Sequence, residues 1–226
     1  MKKIGFIGAA NKTNLIMYVA KVLNLMDKKV LVVDTSIEQE MKYIVPTISP
    51  TKEYVTEFEH MDFAVGFKSV EDIKKYLAIK EEKMPYDYML IDIDSEEMIE
   101  EFDIEDADKN YFVTTFDMYA LRRGVEILQN IKQPLKLTKV LYSHEIIKED
   151  EEYLNYLAMG YKIVWNNTTI YLPKAELDNQ AIEENQRIFT IRIKKLSVNY
   201  QEGIEYIAQD ILGERNINKI RKSIKE

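Results

Sequence analysis

Residues 4–23 read IGFIGAANKTNLIMYVAKVL. Ile4, Phe6 and Ile7 form a short apolar run that stops at Gly8. Beyond Asn14, Leu15, Ile16, Val19, Val22, Leu23 and Leu25 recur at helical spacing. A strand that turns through a short loop straight into a helix aims backbone N–H groups at one point. That is the arrangement which holds a phosphate at a helix N-terminus. Lys12 and Thr13 stand where such a loop carries the lysine that reaches the β- and γ-phosphates and the hydroxyl that holds Mg²⁺. Gly8 is the only glycine among residues 7–13, so the loop has the frame of a phosphate site without its usual flexibility.

The same strand pattern recurs along the chain. Near-continuous apolar runs at 3–8, 29–34, 87–92, 111–115, 139–142 and 169–172 read as strands buried on both faces of a parallel sheet. Helical patterns lie between them at 14–26, 70–79, 119–131, 149–159, 179–185 and 200–212, with Ser69 the expected N-cap of the second and Asp72 at its N3 position. The alternation predicts an α/β fold: a mostly parallel, doubly wound sheet with helices on both faces, joined by right-handed crossovers. Residues 43–67 depart from it. They hold Pro46 and Pro50, and the alternation Tyr54, Thr56, Phe58 suggests an edge strand or a hairpin. No repeat or linker divides the chain, so residues 1–226 are expected to form a single domain, with 213–226 a basic C-terminal helix or tail.

Asp34 ends VLVVD and Asp92 ends YMLID. In an open parallel sheet ligands bind at the carboxyl ends of the strands, so both carboxylates could face the loop and hold Mg²⁺ or its water. Capping the turns that follow is the other role open to them. The candidate nucleotide-binding residues are Gly8, Ala9, Ala10, Asn11, Lys12, Thr13 and Asn14. The candidate Mg²⁺ ligands are Thr13, Asp34 and Asp92.

These residues resemble the ParA/MinD family of deviant P-loop ATPases, whose motifs run KGGxGKT, VLLIDxD and YDxxLIDxPxG. The matching stretches here are IGAANKT (7–13), VLVVDTS (30–36) and YDYMLIDIDSE (86–96). FVTTFDMYALRRGVEIL (112–128), IYLPKAELDNQAIEENQRIF (170–189) and YQEGIEYIAQDILGE (200–214) are similar to later segments of the family. Within it, the nearest likeness is to degenerate members such as the TadZ/CpaE-like proteins of pilus assembly. The resemblance implies ATP and Mg²⁺ as cofactors, a homodimer with nucleotide at its interface, and a role in placing other machinery on a membrane or nucleoid.

The match fails at specific points. Ile7 replaces the family's signature lysine, and cationic charge is a large term in phosphoryl transfer. Ala9 and Asn11 replace loop glycines. Ser36 replaces a second switch aspartate, and Asp94, Glu96 and Glu97 crowd the end of the third motif. Carboxylates within about 4 Å of a triphosphate would each cost about 1–4 kcal/mol; alternatively they lie on a solvated loop that points away. No catalytic residue is assigned. The expected function is a regulatory or localisation adaptor for a larger assembly (a secretion, pilus, conjugation or division apparatus) with weak or absent ATP hydrolysis. The alternative is an active but slow ATP-dependent dimerisation switch that hydrolyses the β–γ phosphoanhydride. A DNA-partition role is less favoured.

Composition narrows the partners. Net charge is −8, which opposes a nucleic-acid backbone. There is no cysteine and the only histidines are His60 and His144, which rules out thiolate chemistry and argues against a histidine-rich metal site. Ser143 and His144 are adjacent, so their side chains diverge at a strand end and do not form a nucleophile–base pair. No apolar run approaches the roughly 18 residues of a membrane span, and the chain reads as cytoplasmic. In the tail, Ile217, Ile220 and Ile224 line one face of a helix that carries Lys219, Arg221, Lys222 and Lys225, with Arg215 just before it. That helix is expected to dock or fray, and contact with the inner face of a membrane would need a partner. Arg122 and Arg123 are either a partner-facing pair or solvated, one of them bonded to Glu126. Trp165 is expected to pack near a turn before the last strand.

Overall fold

The computed structural model describes residues 1–48, 51–81, 83–143, 148–173, 175–213 and 217–225. Among them, one sheet contains β1 (Lys2–Ile7), β2 (Val30–Asp34), β3 (Tyr54–Phe58), β4 (Met61–Val65), β5 (Tyr88–Ile93), β6 (Lys109–Thr114), β7 (Leu135–Leu141) and β8 (Ile163–Tyr171). Their order across the sheet is β3-β4-β2-β5-β1-β6-β7-β8. All neighbours are parallel except β3 and β4. Every residue of β2 and β5 is buried, because helices cover both faces of the central strands.

The helices are α1 (Thr13–Leu25), α2 (Met41–Ile44), α3 (Val70–Tyr76), α4 (Glu96–Glu101), α5 (Met118–Glu126), α6 (Lys148–Leu157), α7 (Glu176–Arg187), α8 (Val198–Leu212) and α9 (Ile217–Lys225). Strand alternation sends Ile4 and Phe6 to one face, where Leu15, Val19 and Leu23 of α1 pack with Ile204, Ile207 and Ile211 of α8. Ile7 goes to the other face, with Phe112, Leu121 and Val125. The helix over 70–76 starts as expected: Ser69 Oγ accepts from Asp72 N at 3.2 Å.

The irregular stretch resolves into the β3–β4 hairpin at one edge of the sheet. Other expectations need correction. β7 begins at Leu135 rather than at 139: of the polar residues that interrupt its apolar pattern, Lys136 is exposed while Thr138 and Lys139 are buried. Lys139 donates to Glu151 Oε1 and Asn155 Oδ1, both at 2.7 Å, and its ammonium lies 5.1 Å over the ring of Trp165. Trp165 is therefore inside β8, stacked edge-on against Phe112 at 5.6 Å, rather than beside a turn. α7 is longer than expected; its buried Asp178 accepts from Ala175 N at 2.8 Å and so closes the first turn. Glu96 and Glu97 open a helix, α4, where negative charge suits the N-terminal end. The C-terminal helix is docked: Ile220 and Ile224 are buried, and Arg221 reaches Glu205 at 2.9 Å. Arg215 and His144 fall outside the described residues.

Candidate functional site at the carboxyl ends of β1, β2 and β5

Gly8 follows β1 with φ +145°, and a Cβ on it would lie 2.1 Å from Val113 O of the adjacent strand. Its N–H donates to Ile93 O at 3.0 Å. This is the loop position where the sheet leaves no room for a side chain, and glycine is retained there. Ala9, Ala10 and Asn11 are absent from the positive-φ residues, so the glycines missing from this loop leave no left-handed strain. On the far side of the loop, Gly124 of α5 lets that helix approach; a Cβ there would come within 2.9 Å of Phe112 and 3.7 Å of Ala9 N.

Lys12 precedes α1 and is buried, at 3% exposure. Its ammonium donates to Gly8 O at 2.8 Å and makes an ion pair with Asp92 Oδ1 at 2.7 Å. Thr13 Oγ1 donates to Asp92 Oδ2 at 3.3 Å. The N-terminus of α1 has no side-chain cap and no acid in its first turn, so its partial positive charge and orphan N–H groups face the loop. Asn11 extends outward and its amide donates to Glu40 Oε1 at 2.6 Å. Asn14 turns the other way, accepting from Gln186 Nε2 of α7 at 3.1 Å.

Asp34 and Asp92 are register partners across β2 and β5. Asp34 is fully buried and organises the segment after its strand. Oδ1 accepts from Ser36 N at 3.0 Å and Ser36 Oγ at 2.6 Å, and Oδ2 accepts from Met41 N at 3.0 Å. Burial, with the neighbouring Asp92 charge, pushes the Asp34 carboxyl up to about 6. Ser36 thus serves as a donor to Asp34. Thr35 Oγ1 donates to Asp92 O at 2.5 Å, and both oxygens of Asp94 accept from Ile37 N, at 3.1 and 3.0 Å. These bonds stitch the segments after β2 and β5 together.

The two readings of the extra acids divide between residues. Asp94 stays at the site, where burial raises its carboxyl and the charge of Lys12 offsets part of that. Glu96 turns away, bonded to Gln129 Nε2 at 2.8 Å and to the Asn130 amide. Asp92 and Asp94 thus both act on one ammonium, Lys12, and Asp34 lies beside Asp92 in the sheet. Among the described residues, no group of three or more His, Asp and Glu side chains is arranged to hold a metal ion. Ile7 is wholly buried in the apolar core beneath the loop, and no cation occupies its position. On α5, Arg123 pairs with Glu126 at 2.9 Å.

A cleft of about 430 Å³ opens beside the loop, lined by Ala9, Asn11, Thr115, Asp117, Tyr119 and Tyr142. The sequence reading did not include the last four. They follow the ends of β6 and β7, so the strand-end rule that found Asp34 and Asp92 reaches them too.

No protein-family model and no curated protein matches this sequence. Solved structures do share its fold. A putative plasmid partition protein of Borrelia burgdorferi B31, bound to AMPPNP, is 15% identical, with a TM-score of 0.63 over 94% of this chain and 98% of that one. A variant of Cyanothece McdA in complex with ATP is 14% identical, with a TM-score of 0.62 over 95% and 97%. The MinC:MinD cell division complex of Aquifex aeolicus gives 14%, 0.61, 95% and 96%. The fold is the P-loop NTPase-like α/β architecture of ParA/MinD structures.

Proposed function

We propose that this chain is a degenerate ParA/MinD-like protein that holds Mg-ATP weakly, hydrolyses it little or not at all, and acts as a regulatory or localisation adaptor for a larger assembly. The observation that carries this reading is the state of two positions. Lys12 is buried and already paired with Asp92, while Ile7 lies in the core where the family has its signature lysine.

The residues present suit a magnesium nucleotide in kind. The uncapped α1 N-terminus and Lys12 would receive phosphate oxygens, and Thr13, Asp92 and Asp34 would stand around the ion. Mg²⁺ would supply charge neutralisation among the three carboxylates. Binding is expected to be weak because phosphate must compete with Asp92 for the lysine. It must also approach Asp94.

Nucleotide-bound structures of similar fold support ATP as the ligand, and a MinC:MinD complex of that fold supports a protein partner. Ile37 and Tyr119, 69% and 71% exposed, flank the loop and could serve a homodimer or partner contact. The net charge of −8 weighs against nucleic acid. Membrane contact would depend on a partner, since the apolar face of α9 is turned inward.

Titration calorimetry and a phosphate-release assay test the proposal. Millimolar affinity for Mg-ATP with no turnover above background supports it. The competing reading, an active slow switch, draws on the retained Lys12, Thr13, Asp34 and Asp92. Turnover that disappears in Lys12→Ala would establish that reading and refute the adaptor.

A further inference from the structure

We propose that Tyr54, brought in by the β3–β4 hairpin, is a positioning residue for Asp34: its hydroxyl is the donor that Asp34 takes up when a magnesium nucleotide draws that carboxylate away from Ser36 and Met41. The inference rests on the nucleotide reading above.

Strand register places the two residues in one row. Tyr54 pairs with Val65, Val65 with Asp34, and Asp34 with Asp92. Side chains in register across a sheet share a face. Tyr54 packs in the core on the α1 side together with Val32, two residues before Asp34 on β2. Two strand spacings, about 9.6 Å, separate the backbones, and within the row the short Val65 side chain stands between. Burial and then the charge of Asp34 raise the pKa of the Tyr54 hydroxyl, so this carboxylate acts electrostatically on it.

The hydroxyl is buried and has no hydrogen-bond partner among the described residues. Such groups are rare and call for an explanation. Phenylalanine would fill the same space without this penalty. Nor can the hairpin readily shift to relieve it. At its turn, Glu59 accepts from Lys21 Nζ at 2.5 Å, Thr190 Oγ1 at 2.9 Å and Ile191 N at 3.3 Å, and His60 O accepts from Asn24 Nδ2 at 3.0 Å. Asp34 meanwhile spends its oxygens on three donors of the segment that follows β2. Freed from them, its oxygen not turned to the ion would be buried without a donor, and the tyrosine row-mate is placed to supply one.

The test is Tyr54→Phe, read by AMPPNP calorimetry with Mg²⁺ and with EDTA, and by melting without nucleotide. The expected result is a variant that melts no lower than wild type, binds AMPPNP normally in EDTA, and loses about tenfold of the Mg²⁺-dependent gain in affinity. Asp34→Asn should lose the same gain, with nothing further lost in the double variant. An unchanged Mg²⁺ gain in Tyr54→Phe would overturn the role of Tyr54 while leaving nucleotide binding intact. Equal loss with and without Mg²⁺ would also overturn it, as a general packing effect. A variant that fails to fold would do so too, because deleting an unpartnered oxygen can harm the fold only if that oxygen is already bonded. Wild-type protein that binds no AMPPNP, or binds it without regard to Mg²⁺, would overturn both this inference and the reading it rests on.

Discussion

Lys12 Nζ lies 2.7 Å from Asp92 Oδ1, and neither side chain is more than 3% exposed. A buried pair of this kind adds little net stability, but removing one partner strands the other. Lys12→Ala is therefore expected to lower folding stability by about 3–5 kcal/mol, apart from any effect on nucleotide. The paired change Lys12→Met with Asp92→Leu should recover most of the loss. Urea unfolding of the three proteins checks this; equal stability of wild type and Lys12→Ala would show that the pair is not desolvated.

Asp34 gives a pH dependence of defined sign. Its folded value, about 6, lies above its ordinary 3.8, so the folded state holds the proton more tightly. Stability from this group is greatest below pH 4 and is lost as pH rises to about 6, by roughly 3 kcal/mol. Relative to wild type, Asp34→Asn should therefore gain about that amount between pH 4 and 6.5. A flat difference across the range would place the carboxyl near its ordinary value.

Ile7→Lys, which sets a lysine where the ParA/MinD motif carries one, should fail. Ile7 is fully buried among Phe112, Leu121 and Val125, and an ammonium there would be desolvated in apolar surroundings. The expected cost is about 3–5 kcal/mol with no gain in phosphate release. A stable Ile7→Lys protein with raised phosphate release would show that this position accepts the charge.

Ile220 anchors α9, being wholly inaccessible where that helix meets α1 and α8. Ile220→Ala is expected to cost about 2–5 kcal/mol if α9 unfolds with the rest of the domain. The wild-type protein alone should sediment poorly with anionic vesicles, because Ile220 and Ile224, which would enter the bilayer, are buried against the domain. Tight vesicle binding by wild type would mean that α9 leaves its dock readily.

The strand–loop–helix opening was legible because Ile4, Phe6 and Ile7 and the helical spacing from Leu15 onward are local signals. So were Asp34 and Asp92, which end unbroken apolar runs. β7 was harder to read. Lys139 breaks its apolar pattern, and only Glu151 and Asn155, from a helix twelve and more residues away, make that lysine buriable. Trp165 was misplaced for the related reason that β8 is an edge strand with polar residues at its centre.

At the site, residue types alone determined that a strand, a short loop and a helix carry Lys12 and Thr13, with Gly8 the one glycine among residues 7–13. Tertiary structure decided what the loop residues and the acids near them do. Ala9 and Asn11 need no left-handed backbone, so their presence is not a defect of the loop fold. Ser36 bonds Asp34, and Asp94 stays while Glu96 turns away. Tyr54 reaches the row of Asp34 only because β3 and β4 insert beside β2. The physical reason is the same throughout. Propensity and hydrophobic period act within a few residues, whereas the partner of a buried charge or hydroxyl is set by which strands lie side by side.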